Sequence, residues 1–291
     1  MIDAESNTTT QINNDGDGVG DNDNDNESDN DSSIDAESDI GTEMNLRIAG
    51  LNCNGLLNKV DSLLASANEP HSDWNIICVQ ETHETLYQKL NQQLQRQGWA
   101  FYSSTIHDHE HENDSNDLFN ASGGTGIYVA NSLTDLWSIE QHETNTDRIT
   151  HISLSDDDNT IHIFSVYAAD SSKRASVRKQ IYNNMNDALQ RIAAHQDART
   201  HTYIIQGDWN TSPLSYNSNT PMFNEFVETH QFRIMHNDLP TFIRGTSNTL
   251  IDHFLISPSL LHLCTAVSVL VSDDTVTSPG SDHRTISIHL V

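Results

Sequence analysis

Near the end of the chain stands Ser281-Asp282-His283-Arg284, an imidazole between a carboxylate and a guanidinium. Alone, such a run is more often an ordinary loop. Upstream, Leu51-Asn52-Cys53-Asn54-Gly55, Gln80-Glu81-Thr82-His83, Tyr167, Gly207-Asp208-Trp209-Asn210 and Ile251-Asp252-His253 each close, or nearly close, an apolar run. These strand tips would deliver carboxylates, amides, a phenol and an imidazole toward one place. Metal-assisted hydrolysis of a phosphate ester needs that mixture.

Each piece has a chemical and a plain reading. Glu81 follows Ile76-Ile77-Cys78-Val79-Gln80. A carboxylate beside a buried strand is costly unless paired or bound to a metal; the plain reading is an exposed acid at a strand end. A hard oxygen ligand suits Mg²⁺ or Mn²⁺. Asn54 could help hold that ion or its water, although turn chemistry accounts equally for Asn54 and Asn52. Gly207 lets the backbone approach closely. Asp208 could then orient or deprotonate the attacking water, and Asn210 could donate to a phosphate oxygen. A Gly-Asp turn after a strand explains the same residues without chemistry. Asp252 lies on another strand tip. A carboxylate on one ring nitrogen of His283 would fix its tautomer and raise its basicity, leaving the other nitrogen for a non-bridging phosphate oxygen. The chain has 16 histidines, so a structural role for any one of them is the competing reading.

These groups must be positioned by a domain. The chain has 291 residues, enough for one large domain or two small ones. No stretch approaches the roughly 20 apolar residues of a membrane span, and the N-terminus lacks a secretory pattern. The three cysteines, Cys53, Cys78 and Cys264, fit no zinc spacing. They read as reduced core residues of an intracellular protein, nuclear or cytoplasmic. The net charge is −28; residues 1–43 hold 14 acids and no Lys or Arg, leaving 28 acids against 14 bases in the remainder. An acidic body is a poor footprint for nucleic acid, where phosphate contacts supply most non-specific affinity. Residues 1–43 are rich in Asp, Asn, Gly and Ser. Such a segment cannot bury enough apolar surface to offset its ordering entropy, so a disordered acidic tail is expected, with the folded domain over 44–291.

Within that domain the apolar pattern predicts strands over residues 45–52, 74–80, 99–104, 124–130, 201–206, 250–256, 265–271 and 285–291. A hairpin is expected over 148–154 and 160–167. Helices are expected over 57–66, 84–96, 172–195 and 221–229, with Ser171 or Ser172 capping the third. Residues 107–122, with three histidines among acids, read as a polar loop. Strands and helices mix without a strict βαβ repeat. Two packed, largely antiparallel sheets with helices outside are therefore expected.

Taken together, Leu51-Asn52-Cys53-Asn54-Gly55-Leu56, Gln80-Glu81-Thr82-His83, Gly207-Asp208-Trp209-Asn210-Thr211, Thr241-Phe242, Ile251-Asp252-His253 and Ser281-Asp282-His283 resemble, in order and spacing, the endonuclease/exonuclease/phosphatase superfamily. Within it they are most similar to LINE-type retrotransposon endonuclease domains and apurinic/apyrimidinic endonucleases. The resemblance covers about residues 45–291. It implies an α/β fold, a four-layer α/β sandwich of two packed mixed β-sheets flanked by helices, and one or two Mg²⁺ ions. By it, Glu81 is the metal ligand, assisted by Asn54 and Asp282. Asp208 handles the water, Asn52 and Asn210 position the phosphate, and His283 with Asp252 stabilises the pentacovalent transition state. Tyr167 stands where deoxyribonuclease I and sphingomyelinases carry histidine, which favours the LINE and abasic-site branch.

Three departures accompany the match. Tyr167-Ala168-Ala169 lacks the family's proline, Thr249 replaces a serine, and residues 255–291 contain no Phe, Tyr or Trp to wall a pocket for an abasic sugar. Basic residues gather at Lys173, Arg174, Arg178 and Lys179, where they could grip a backbone phosphate; an exposed helix face is the plain reading. Phe242 and Arg244 form a second candidate edge, and Thr241, in the matched Thr241-Phe242 pair, is expected at the substrate. The expectation is a monomeric Mg²⁺-dependent (or Mn²⁺-dependent) phosphodiesterase, an endonuclease on DNA with no membrane partner. The alternatives are a phosphatase on a small phosphate ester or inositol phosphate, or a non-catalytic retrotransposon-derived remnant.

Overall fold

A computed structural model of the chain describes residues 45–56, 59–67, 73–82, 98–104, 123–195, 197–269 and 281–291. The acidic tail, the helix expected over 84–96 and the histidine-bearing loop over 107–122 lie outside the described residues.

The first sheet, A, contains β1 (Leu46–Asn52), β2 (Ile76–Gln80), β3 (Trp99–Ser103), β4 (Thr125–Ala130), β13 (Cys264–Val269) and β14 (Ile286–Leu290), in the order β13-β14-β1-β2-β4-β3. The second, B, contains β5 (Ser138–His142), β6 (Ile149–Ser155), β7 (Asn159–Tyr167), β8 (Thr200–Asp208), β9 (Arg233–Met235) and β12 (Asp252–Ile256), in the order β5-β6-β7-β8-β12-β9. A short ribbon pairs β10 (Phe242–Arg244) with β11 (Ser247–Thr249). Among the described residues two pairings are parallel: β1 with β2 and β7 with β8, each at the centre of its sheet. The helix α1 (Val60–Ala67) connects the first pair, and α2 (Ala175–Ala194) connects the second. A third helix, α3 (Thr220–Thr229), follows β8.

Period-two alternation sorts each central strand between two cores. In β2, Ile76 and Cys78 face the space between the sheets, while Ile77 and Val79 face α1. Ile48, Ile127, Ile152, Ile163, Ile204 and Phe254 share that inner core. On the outer face of sheet B, Phe164, Val166 and Ile205 meet Ile181, Met185 and Leu189 of α2 and Phe223 and Phe226 of α3. Strands buried on both faces read as unbroken apolar runs, which is why they stand out in the sequence. The layers are helix, sheet, sheet, helix: a four-layer α/β sandwich. No helix among the described residues is long and apolar enough to cross a membrane.

Two expectations are corrected. The α2 helix begins at Ala175, not 172, and no side chain caps it. The Ser172 hydroxyl donates to Asp170 Oδ1, as does its backbone N–H at 2.8 Å, so this serine closes a local turn before the helix. The edge strand β5 was not foreseen; its partly exposed Ser-Ile-Glu-Gln-His carries no apolar run.

Candidate active site

The two parallel pairs send four C-terminal strand ends to the same edge of the sandwich. They end at Asn52, Gln80, Tyr167 and Asp208. Asp252 opens β12 there, directly opposite Asp208 in antiparallel register. Like charges facing each other across strands repel. His283 answers them: its Nδ1 lies 2.9 Å from Asp252 Oδ2 and 3.2 Å from Oδ1, while its Nε2 lies 3.8 Å from Asp208 Oδ2. All three residues are buried.

The segment carrying His283 is stitched to both sheets. Ser281 Oγ donates to the Asn52 carbonyl at 2.6 Å and accepts the His283 N–H at 3.1 Å. The Ile243 N–H reaches the Asp282 carbonyl, and the Arg284 N–H reaches that of Thr241. The Phe242 ring packs edge-on against the imidazole at 5.0 Å.

Asn52 is fully buried and links the two sides of the site. Its Nδ2 donates to Glu81 Oε1 and to Asp208 Oδ2, each at 2.9 Å, and its Oδ1 accepts the Asn54 N–H at 3.1 Å. Asp208 Oδ1 accepts the Asn210 N–H at 2.9 Å, and Asn210 Nδ2 donates to the Ala168 carbonyl at 2.9 Å. Between Asp208 and Asn210, Trp209 points the other way, wholly buried against Phe223 and Phe226. This alternation anchors the two polar residues. Asn54, Glu81 and Asn210 all have positive φ, at 44°, 51° and 49°. For a glutamate that is uncommon, and such conformations collect at functional sites. Glu81 is held there by its carbonyl, which accepts the Gly55 N–H at 2.7 Å, and by the flanking Thr82 N–H on the Gly124 carbonyl.

The electrostatics follow from burial. Burial, then the charge of Asp252, pushes the Asp208 carboxyl up from the usual carboxylate range; His283 and the Asn52 and Asn210 donors oppose this. For His283, burial pulls the imidazole down, but the charge and hydrogen bond of Asp252, helped by Asp208 and Glu81, carry it up to about 9. Burial, followed by the charge and hydrogen bond of Glu81 and the charge of Asp208, raises the Tyr167 phenol far above its ordinary value, against the lowering effect of Arg148. Tyr167 therefore donates rather than ionises. The Arg148 guanidinium stacks over its ring at 4.7 Å.

The structure thus brings Asn52, Glu81, Tyr167, Asp208, Asn210, Asp252 and His283 into one linked set. Asn54 joins it through its backbone. Other expected residues lie elsewhere. The Asp282 carboxylate is at the rim, 3.7 Å from Arg244 Nε. Thr241, expected at the substrate, is wholly buried; its hydroxyl accepts the Ile251 and Asp252 N–H groups at 3.1 and 3.0 Å, so it positions Asp252. Arg178 is committed to the fold: its guanidinium donates to the Ser218 carbonyl and Asn219 Oδ1, and to the Lys173 carbonyl. Lys173 and Arg174 are exposed. The sequence reading also missed a buried polar layer beneath the site. Gln80 Nε2 donates to Ser165 Oγ at 2.8 Å and to Gln206 Oε1 at 2.5 Å, bridging the sheets. The available signal was a glutamine inside an apolar run. Likewise Leu214 and Tyr216, in the loop after Asn210, are 64% and 81% exposed.

Carboxylates dominate this centre among the described residues, and the His283 imidazole is tied to Asp252. Asp208, Asp252 and His283 present one ligand atom each within 4.8 Å of one another. Glu81, Asp208 and Asp252 gather carboxylate oxygens at this end of the core, and a hard divalent cation fits such oxygen donors.

The match extends beyond geometry. Residues 49–283 match the model of the Endonuclease/Exonuclease/phosphatase family. No curated protein matches the chain in sequence. Among solved structures, the endonuclease domain of TRAS1, a telomere-specific non-LTR retrotransposon, superimposes with a TM-score of 0.62 at 14% identity, covering 85% of this chain and 98% of that one. The AP endonuclease LMAP from Leishmania major gives 0.63 at 15% identity, covering 84% and 87%. The 3′ phosphatase NExo from Neisseria, bound to product DNA hairpin, gives 0.62 at 14% identity, covering 84% and 99%. At such identities these structures share the fold. With most of its length matched and the fold in agreement, the chain belongs to the endonuclease/exonuclease/phosphatase family.

Proposed function

We propose that the chain is a divalent-metal-dependent phosphodiesterase, an endonuclease that hydrolyses DNA. One observation carries the reading: His283 lies between Asp252 and Asp208, beside a carboxylate, Glu81, held in a left-handed turn. Glu81, assisted by Asn54 in the linked set and by Asp282 from the rim, would hold Mg²⁺ or Mn²⁺. What the cation supplies when bound is Lewis-acid stabilisation of phosphate oxygens.

The protein groups divide the remaining work. Asp208 takes the proton of, or orients, the attacking water. The His283 imidazolium, kept charged by Asp252, donates to a non-bridging oxygen as negative charge builds there. Asn52 holds Glu81 and Asp208 in place, Tyr167 steadies Glu81 through its O–H, and Asn210 faces the phosphate as a donor. DNA as the substrate is supported by the rim: exposed Lys173 and Arg174 for backbone phosphates, and Tyr216 and Leu214 for stacking on a base. Two of the similar structures are of endonucleases.

A second reading, a phosphatase on a small phosphate ester, is favoured by the charge balance, since 28 acids face 14 bases outside residues 1–43. Supercoiled plasmid, single-stranded RNA and inositol phosphates, incubated side by side with the full chain and Mg²⁺, test the proposal. Nicking of the plasmid as the preferred reaction is expected. Preference for an inositol phosphate would overturn the endonuclease assignment in favour of the second.

A further inference from the structure

On the outer face of sheet B, four histidines lie across four neighbouring strands: His142 on β5, His151 on β6, His162 on β7 and His201 on β8. His151 and His162 are buried. Their nitrogens form a chain. His201 Nε2 is 2.7 Å from Asp197 Oδ1, His162 Nε2 is 2.9 Å from His201 Nδ1, and His151 Nε2 is 3.0 Å from His162 Nδ1. Its direction follows from Asp197. An ionised carboxylate only accepts, so a neutral His201 spends its one N–H on Asp197 and accepts at Nδ1. The same reasoning makes His162 donate from Nε2 and turn its Nδ1 lone pair toward His151. His142 stacks on His151 at 4.3 Å, with its Nε2 2.8 Å from Ser153 Oγ.

A hydrogen-bonded stack that merely fills the face is the simpler alternative. Yet the ring nitrogens converge: one from each of His142, His151 and His162 lies within 4.8 Å of the others. We propose that His142, His151 and His162 form a second metal site, for a borderline divalent ion of the Zn²⁺ class, oriented by Asp197 through His201.

The geometry and the donor type agree. Zinc–nitrogen bonds of 2.0–2.1 Å place tetrahedral ligands about 3.3 Å apart, close to the 3.0 Å between His151 Nε2 and His162 Nδ1. Ligating histidines characteristically give their other N–H to an outer partner that fixes the tautomer; here that partner is the His201–Asp197 pair. The ion replaces the His151–His162 hydrogen bond: His151 moves its proton from Nε2 to Nδ1, so two neutral rings lend lone pairs and no proton leaves them. Water takes the fourth position. Imidazoles prefer zinc, copper and nickel, whereas oxygen donors prefer magnesium, so the two centres sort different ions. They are apart in space. His162 precedes Tyr167 by five residues on β7, about 16 Å of strand, and points to the opposite face. Such an ion would clamp the edge strand β5 to β6 and β7, where an open edge is a liability.

The test uses the full chain, stripped with chelator and titrated with Co²⁺ and with Zn²⁺. Three variants accompany it: Glu81→Gln, His142→Ala at the half-buried edge position, and a combined His107→Ala, His109→Ala and His111→Ala. One equivalent of Co²⁺ with the visible absorption of a tetrahedral nitrogen-rich site is expected in the native chain. It should persist in Glu81→Gln and in the triple variant. His142→Ala should weaken it by more than about tenfold, the least that losing even an outer partner of a ligand costs, while leaving Mg²⁺-dependent hydrolysis unchanged. A hundredfold excess of Zn²⁺ over its dissociation constant should raise the unfolding midpoint by about 5–10 °C. No tetrahedral cobalt spectrum, a spectrum untouched by His142→Ala, or one abolished by Glu81→Gln or by the triple variant would each overturn the site.

Discussion

Asp252→Asn separates the part of the centre that works without a metal. Asp252 is buried, with its carboxylate 2.9 and 3.2 Å from His283 Nδ1. The substitution keeps the shape and removes the charge. In the native fold, burial lowers the His283 imidazole, yet Asp252, with lesser help from Asp208 and Glu81, lifts it from 6.5 to about 9. That rise corresponds to about 3 kcal/mol in favour of the imidazolium. A cation neutralising Glu81 and Asp208 would remove only the smaller contributions. With asparagine present, burial is left largely unopposed and the ring falls to its ordinary value or below. If the imidazolium donates to the phosphate in the transition state, the turnover number at neutral pH should drop about 10²- to 10³-fold. The sign in pH is set by which form works. His283 acts while protonated, so native activity should be lost as the pH rises through about 9, and variant activity from about 6.5. Stability follows the same sense: the contribution of His283 is fully present below its unfolded value and lost as the pH rises through the folded one. The assay is initial-rate plasmid nicking at saturating Mg²⁺ across that window, with circular dichroism to show that the variant is folded. A folded Asp252→Asn protein with native turnover and an unmoved alkaline limb would refute the role given to His283.

Glu81→Ala should abolish hydrolysis at ordinary Mg²⁺ and recover partly at high metal, read as rate against metal concentration; full activity at low metal would remove Glu81 from the ligand set. Charge reversal at Lys173 and Arg174 should flatten the salt dependence of DNA binding by roughly 0.9 per lost phosphate contact. By contrast, Arg178→Ala should lower the thermal midpoint, because its guanidinium joins α2 to the turn at Ser218 and Asn219. In metal-free protein, His162 resists protonation down to about 3, because of burial and then its imidazole neighbours. Its contribution to stability is therefore complete above pH 6.5 and falls by about 1.4 kcal/mol per pH unit below it. Urea midpoints across that range should show the slope, and His162→Gln should reduce it.

The strands that position the site were legible because they are buried on both faces. Ile76-Ile77-Cys78-Val79 and Tyr203-Ile204-Ile205 are unbroken apolar runs, and each delivers a polar residue where it ends. Less visible were features set by tertiary context. Nothing in Gln80-Glu81-Thr82 marks Glu81 for a positive φ; the loop of residues 53–56 and the Gly124 carbonyl impose it. Thr241 is expected at the substrate from the matched Thr241-Phe242 pair, whereas its hydroxyl is spent accepting the Asp252 N–H. Four cations within seven residues, Lys173, Arg174, Arg178 and Lys179, suggest one patch, but Arg178 turns back onto the Ser218 carbonyl. The ribbon of β10 and β11 consists of three-residue strands, too short for any periodicity to register. Gly207, expected to let the backbone come close, does so toward its own sheet: a Cβ there would stand 2.5 Å from the Val166 carbonyl oxygen.

The location of the chemistry is a consequence of topology. An antiparallel pair sends one C-terminal end to each edge of a sheet, whereas a parallel pair sends both to the same edge. Two parallel pairs facing each other across the inner core therefore gather four such ends: Asn52 and Gln80 from one sheet, Tyr167 and Asp208 from the other. Charges at the end of an apolar core need a graded surrounding, since burial of an uncompensated carboxylate is costly. The structure supplies it in layers. Hydrocarbon fills the middle, where Ile48, Ile163 and Ile204 pack. Neutral amides and a hydroxyl follow, with Gln80 bonded to Ser165 and Gln206. Above them lie the ionised groups, joined by Asn52. The amide layer in turn dictates a small residue on β1. A Cβ at Gly50 would lie 2.1 Å from the Gln206 side chain, so Gly50 makes room for the bridge between the sheets. Gly50, Gln80 and Gln206 never touch substrate, yet they hold the two halves of the centre in register, one half carrying Glu81 and the other Asp208.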